Sequence, residues 1–180
     1  MSAPEVFVRI HECAADIVEI VAYRAHPRER GFPAFGRASN AGDQLRLSVR
    51  PGRWLVLSAP AEAGATAARW ESACAESAAA IDLTSGLVAL FVQGVAAREM
   101  LTRGCRLDLD PAVMPTGSAA ATVIAQVAVT LVALPAGLLL LTPSTTARHL
   151  REWLVATAQP FGFEQGAALP LTDLLRSEWS

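Results

Sequence analysis

Apolar and polar residues alternate along much of this chain with the two-residue period of strands. Val6–Glu12 and Asp16–Arg24 alternate weakly and are predicted strands. Leu45–Val49 and Arg53–Ser58 follow around Pro51-Gly52, a turn pair. The period then changes: over Glu62–Ser77, the residues Ala63, Ala67, Trp70 and Cys74 share one helical face. Ala79–Leu83 and Leu87–Gln93 are strands joined by Thr84-Ser85-Gly86. Val95–Arg103 is a short helix that stops at Gly104. Ala119–Gln126, Val127–Leu134 and Leu138–Thr142 are strands, and Ser144 is a candidate N-cap for a helix through Ala158. That helix carries the stripe Ala147, Leu150, Leu154 and Ala158, and Phe161–Gln165 adds a last strand. The order from Arg53 is β-α-β-β-α-β-β-β-α-β. It predicts an α+β fold, a mixed and largely antiparallel sheet with helices packed on it.

The stretch Ala119–Thr142 has no charged residue over a length that spans a bilayer. Its β-branched residues Val123, Ile124, Val127, Val129, Thr130 and Val132 favour strands instead. Pro135-Ala136-Gly137 punctuates it as a turn, and no basic cluster sets a membrane orientation. It is read as buried strands, with no membrane association.

Two segments fall outside the core periodicity. Ala25–Asp43, rich in Arg, Gly and Pro, is predicted to be a long loop or arm. Phe32 and Phe35 lie there among Arg24, Arg28, Arg30 and Arg37, a composition enriched at protein interfaces. Pro170–Trp179 places Leu171, Leu174, Leu175 and Trp179 at helical spacing in a helix too short to stand alone, which either packs on its own domain or docks in a partner groove. Phe32, Phe35, Arg37 and Trp179 are therefore the candidate partner-interface residues. The domain layout is 1–49 as N-terminal strands and arm within the same domain, 50–166 as the α+β domain, and 167–180 as a docking tail.

At 180 residues, 52% hydrophobic and 18% charged, the chain has material for one packed domain. A net charge of −2 argues against nucleic acid as a partner. All 15 basic residues are Arg, which suits bidentate pairing at interfaces and also follows from composition bias. Glu5, Arg9 and Glu12 interrupt any secretory signal, and Cys13, Cys74 and Cys105 form no CxxC pair. A cytoplasmic location is expected.

Candidate chemistry is sparse. Cys105 has no nearby His in sequence to activate it and is read as a buried thiol. Asp82 sits at a strand end where an Asx-turn accounts for it. Asp108 and Asp110 lack further metal ligands, and His11, His26 and His149 lack metal spacing. Gly94-Val95-Ala96-Ala97 lacks the Lys and glycine pattern of a phosphate loop. No residue is assigned a catalytic, cofactor-binding or metal-binding role.

Three stretches together carry a resemblance. RPGRWLVLSAP supplies Pro51, Trp54 and Leu55; AAAIDLTSGLVALFVQGVAAREMLTRGCRLDLDPAVMPTG supplies the Ile81–Thr84 step and then Gly104, Cys105, Leu107, Asp108 and Leu109; GLLLLTPSTTARHLREWL follows. Their order and spacing resemble the gamma subunit of heterotetrameric sarcosine oxidase, over about Arg50 to Phe163. The resemblance implies a fold similar to the folate-binding domain of glycine-cleavage aminomethyltransferase. It implies alpha, beta and delta partner subunits, with FAD, FMN, NAD and tetrahydrofolate in those partners and none bound here. The chain departs from the family pattern at Ala121-Thr122 (Arg-Thr), at Ala133 (Arg) and at Pro143–Thr146 (Arg-Ser-Phe-Ala). The expectation is a non-catalytic accessory subunit of a flavin-dependent secondary-amine oxidase or dehydrogenase, supporting oxidative demethylation in amine catabolism with folate as one-carbon acceptor. The alternatives are a free-standing folate-binding aminomethyltransferase-like protein and a non-enzymatic scaffold.

Overall fold

Strand alternation determines the layers, because each strand gives one face to each neighbouring core. The computed structural model describes residues 7–23, 31–74, 77–176 and 179. One sheet contains β1 (Val8–Ala14), β7 (Leu87–Gln93), β8 (Ala119–Ile124), β9 (Val127–Leu134), β10 (Gly137–Pro143), β11 (Phe163–Gln165) and β12 (Leu169–Pro170). Its order is β11-β1-β7-β10-β9-β8, with β12 also beside β1. Among the described residues, only the pairings of β11 and β12 with β1 are parallel. The second sheet contains β2 (Asp16–Ala22), β3 (Arg37–Asn40), β4 (Gln44–Arg50), β5 (Arg53–Ser58) and β6 (Ala78–Asp82). It is antiparallel throughout, in the order β3-β4-β5-β2-β6. The predicted α+β class, with a largely antiparallel arrangement, is what the chain adopts.

Among the described residues the α-helices are α1 (Ala65–Cys74), α2 (Ala97–Thr102), α3 (Ser144–Ala158) and α4 (Leu171–Leu175). Three apolar layers result. Val8, Ile10, Leu90, Leu138 and Leu140 on one face of the first sheet pack with Met100 and Leu101 of α2 and Leu150 and Leu154 of α3. The opposite face, through Phe91, Val132 and Leu139, meets Ile17, Leu45, Leu47 and Leu57 of the second sheet. The outer face of the second sheet, through Val18, Ile20 and Val56, is covered by α1. Leu150 and Leu154 are both 0% exposed, so each contributes about 1.5–3 kcal/mol of burial.

Several expectations are corrected. Arg37–Asn40, predicted as loop, is strand β3, because the β4 ladder pairs it residue for residue. Ser144 does not cap α3: it is the first helical residue, Pro143 holds the N-cap position, and no side chain caps it. On α1 the predicted face packs as expected at Cys74, which is buried, and at Ala67 and Trp70, which are partly buried against the same layer; Thr66 is also buried, and Ala63 lies before the helix, exposed. Of the two outcomes left open for the C-terminal leucines, packing on their own domain is the one found: Leu171, Leu174 and Leu175 are buried in the inter-sheet core. The β8–β9 connection is a two-residue turn with φ of 49° at Ala125 and 67° at Gln126, left-handed positions held without glycine.

Candidate functional site

Residues of both sheets line a cavity of about 190 Å³ between them. Alternation along β2 turns Glu19 to the same face as Ile17, and along β5 it turns Arg53 to the same face as Leu55 and Leu57. Glu19 and Arg53 therefore project inward, where the Arg53 Nη1 donates to both carboxylate oxygens at 3.3 Å. Arg50 and Trp54 add to this wall, and Ala121, Thr130 and Leu87 form the other. Ala121 and Thr130 are register partners on β8 and β9. Trp54 borders the cavity, but alternation turns its ring to the α1 side of the sheet, where its Nε1 donates to the Pro33 carbonyl at 2.9 Å. The arrangement offers an ion pair between apolar walls and can hold a small charged group. Sites for drug-sized ligands occupy roughly 300–1,000 Å³. This cavity lies below that range.

The sequence-predicted residues fall in different places. Phe32 is 6% exposed and tilted against two rings, Trp54 at 5.4 Å and Trp70 at 5.6 Å, with the Arg46 guanidinium 5.1 Å above its ring. Its area is consumed within its own chain, in the layer under α1. Phe35 is 64% exposed and Arg37 is exposed, both on the approach to and start of β3. Trp179 is half-buried against the inter-sheet core. The structure does not gather these four into one patch of exposed side chains. Arg24, Arg28 and Arg30 lie outside the described residues.

The chemically tempting residues have structural occupations. Cys105 is buried, bridges to Ile124, and has its Sγ 3.9 Å from the Thr122 hydroxyl. Asp82 accepts from the Thr84 amide at 2.9 Å, an Asx-turn that, with the Thr84 side chain, lowers its pKa below the ordinary carboxylate value. Asp108 and Asp110 make two more such turns, to the amides of Asp110 and Ala112. Arg98 holds this loop by donating to the carbonyls of Leu109 and Met114 at 2.6 and 3.1 Å. Gly94 has φ of +118°, and a Cβ there would overlap the Phe7 carbonyl, so close packing explains it without a phosphate. His149 is exposed on α3. Among the described residues no three His, Cys, Asp or Glu side chains gather as a metal site, and no helix is long and apolar enough to cross a membrane.

Sequence reasoning passed over two buried polar groups. His11 is 6% exposed and bonds through Nδ1 to the Ala167 carbonyl and through Nε2 to the Gln93 amide, each at 2.8 Å. Asp16 accepts from the Thr66 hydroxyl at 2.6 Å and the Ala61 amide at 3.1 Å, fastening α1 to β2. The signal for Asp16 was present: an acid opening an apolar strand demands a buried donor. Cys13 is buried deeply enough that its thiol pKa rises to about 11.

No family model matches the chain, and no curated protein does so significantly. Solved structures do. A chain of the heterotetrameric sarcosine oxidase from Corynebacterium sp. U-96, in complex with pyrrole 2-carboxylate, superposes with a TM-score of 0.78 at 20% identity, covering 92% of this chain and 90% of that one. Glycine cleavage system aminomethyltransferase T from Bartonella henselae superposes with a TM-score of 0.68 at 16% identity, covering 89% of this chain and 48% of that one. This chain therefore has the aminomethyltransferase-like fold and spans about half of the transferase.

Proposed function

We propose that this chain is the small, gamma-type subunit of a heterotetrameric, flavin-dependent secondary-amine oxidase or dehydrogenase of the sarcosine oxidase kind. The observation that carries this is mutual coverage. The likeness takes in 92% of this chain and 90% of one chain of the heterotetrameric oxidase, so the two chains have nearly the same length. The likeness to the transferase spans only 48% of that enzyme, which argues against a free-standing transferase.

The chain's own residues support an accessory role. Cys105 is packed, and the Asp82, Asp108 and Asp110 carboxylates each accept a backbone amide in a turn. In this reading FAD, FMN, NAD and tetrahydrofolate belong to the alpha, beta and delta partners. They supply the redox and one-carbon chemistry there, and this chain contributes assembly surface.

The test compares the isolated chain with the complex. Alone, the chain is expected to be colourless after gel filtration, inactive on sarcosine and without saturable tetrahydrofolate binding. Turnover by the chain alone, or a retained flavin spectrum, overturns the reading. Saturable tetrahydrofolate binding favours the transferase alternative.

A further inference from the structure

From the geometry of β8 we infer that this edge strand receives an extended, acidic segment of another polypeptide, which adds to the first sheet as an eighth strand. The backbone alternation assigns its free groups. Ser118 O accepts from Ala133 N on the β9 side, whereas Ala119 N donates outward to Gly36 O and Ala125 N outward to Gly104 O. A two-residue period then turns the amides of Ala121 and Val123 outward as well, between those two closed ends. Neither amide has a backbone partner beyond β8's own sheet among the described residues. Bridges from Arg37 to Ser118 and from Cys105 to Ile124 bracket this gap.

Native edges are usually blunted by charge, proline or bulges. Strand β8 has none: it reads AAATVI, pairs with β9 without a register shift, and exposes Ala121 and Val123, the latter at 46%. The opposite edge differs, carrying Glu164 paired with Arg9 on β11 and Pro170 on β12. An unblunted edge is a template for strand addition.

Charge identifies the occupant. A shallow groove along the edge is lined by Arg106, Thr122, Val123 and Gln126, and through Ala121 it runs into the inter-sheet cavity. That cavity adds Arg50 and the Glu19–Arg53 pair. Glu19 pairs with Arg53, and Arg50 in the cavity and Arg106 in the groove are the further cations lining this path. A second copy of β8 would place like charges together, whereas an extended segment carrying carboxylates complements them. If the segment comes from a companion subunit, the inference deepens the proposed assembly; the edge geometry itself does not depend on flavin.

The experiment uses the full, tagged chain in its native cell, with a photo-crosslinking residue, benzoylphenylalanine, replacing Val123. Crosslinking is expected to join position 123 to an extended, Asp- or Glu-containing peptide of a different chain. Ala121→Pro removes only an outward amide, a substitution edge strands accept, and should lower recovery of that partner at least tenfold with an unchanged melting temperature. Arg106→Glu is the second variant and should lower recovery without touching the backbone. Full recovery with both folded variants, a crosslink to this chain itself, or a chain that purifies alone overturns the inference. A flavoprotein partner retained by Ala121→Pro sinks the edge-strand inference and leaves the proposed function standing. A flavin-free partner lost with Ala121→Pro does the reverse.

Discussion

Gly104 marks the end of α2, yet a left-handed helix stop does not account for it, because its φ is not positive. Its reason is Trp153 on α3. A Cβ at Gly104 would lie 2.4, 2.7 and 3.1 Å from three atoms of the Trp153 ring. The glycine cannot yield, since its amide donates to Leu101 O at 3.1 Å and its carbonyl accepts from Ala125 N at 3.2 Å. Restoring ordinary carbon contact near 3.5–4.0 Å would push the ring, and with it α3, outward by about 1 Å. Overpacking of this kind costs about 1–3 kcal/mol. Alanine regains about 0.4–1 kcal/mol by restricting the unfolded chain. Gly104→Ala should therefore destabilise the chain by about 1–2 kcal/mol, a fall in melting temperature of about 2–8 °C for a domain of this size. Thermal unfolding by circular dichroism reads it. Pairing Gly104→Ala with Trp153→Leu should restore part of the loss, a non-additivity of at least about 0.5 kcal/mol. An unchanged melting temperature for the single variant, or strict additivity in the pair, refutes the packing argument.

Three further outcomes follow from particular contacts. Asp16→Ala strands the Thr66 hydroxyl and the Ala61 amide and should cost about 2–3 kcal/mol, with Asp16→Asn milder; urea unfolding of the three chains measures it. Burial raises the Cys13 thiol to about 11 from its ordinary 9.0, so its stability contribution is intact below 9.0 and is lost as pH climbs toward 11. Melting temperatures at pH 8 and pH 11 should accordingly diverge less in Cys13→Ala than in the parent. The β8–β9 turn holds Ala125 and Gln126 in the left-handed region, so Ala125→Asn with Gln126→Gly should raise stability by about 1 kcal/mol; a lower melting point would contradict the turn assignment.

What the sequence revealed tracks how local the determining force is. Strands Arg53–Ser58, Leu87–Gln93 and Val127–Leu134 were legible to the residue, because alternating or continuous apolar runs between turn residues leave few other solutions. Strand β3 was not, since Arg-Ala-Ser-Asn has no strand preference and only its ladder with β4 makes it one. Phe32 looked like an interface anchor beside its arginines; its actual neighbours, Trp54 and Trp70, are more than twenty residues away along the chain. The C-terminal leucines followed the same pattern, as nothing local distinguishes a tail that docks on a partner from one that docks on itself. The inter-sheet cavity was invisible because Glu19 and Arg53 meet only after β2 and β5 pair.

The central claim is membership of a flavin-dependent complex, and the most direct measurement is affinity purification of the tagged full chain from its native cell. The co-purifying chains are identified by mass spectrometry and the eluate is scanned for flavin absorbance. The account predicts stoichiometric recovery of larger flavoprotein chains, a flavin spectrum, and turnover of a secondary amine by the eluate. A stoichiometric eluate of this chain alone, colourless and inactive, would contradict it.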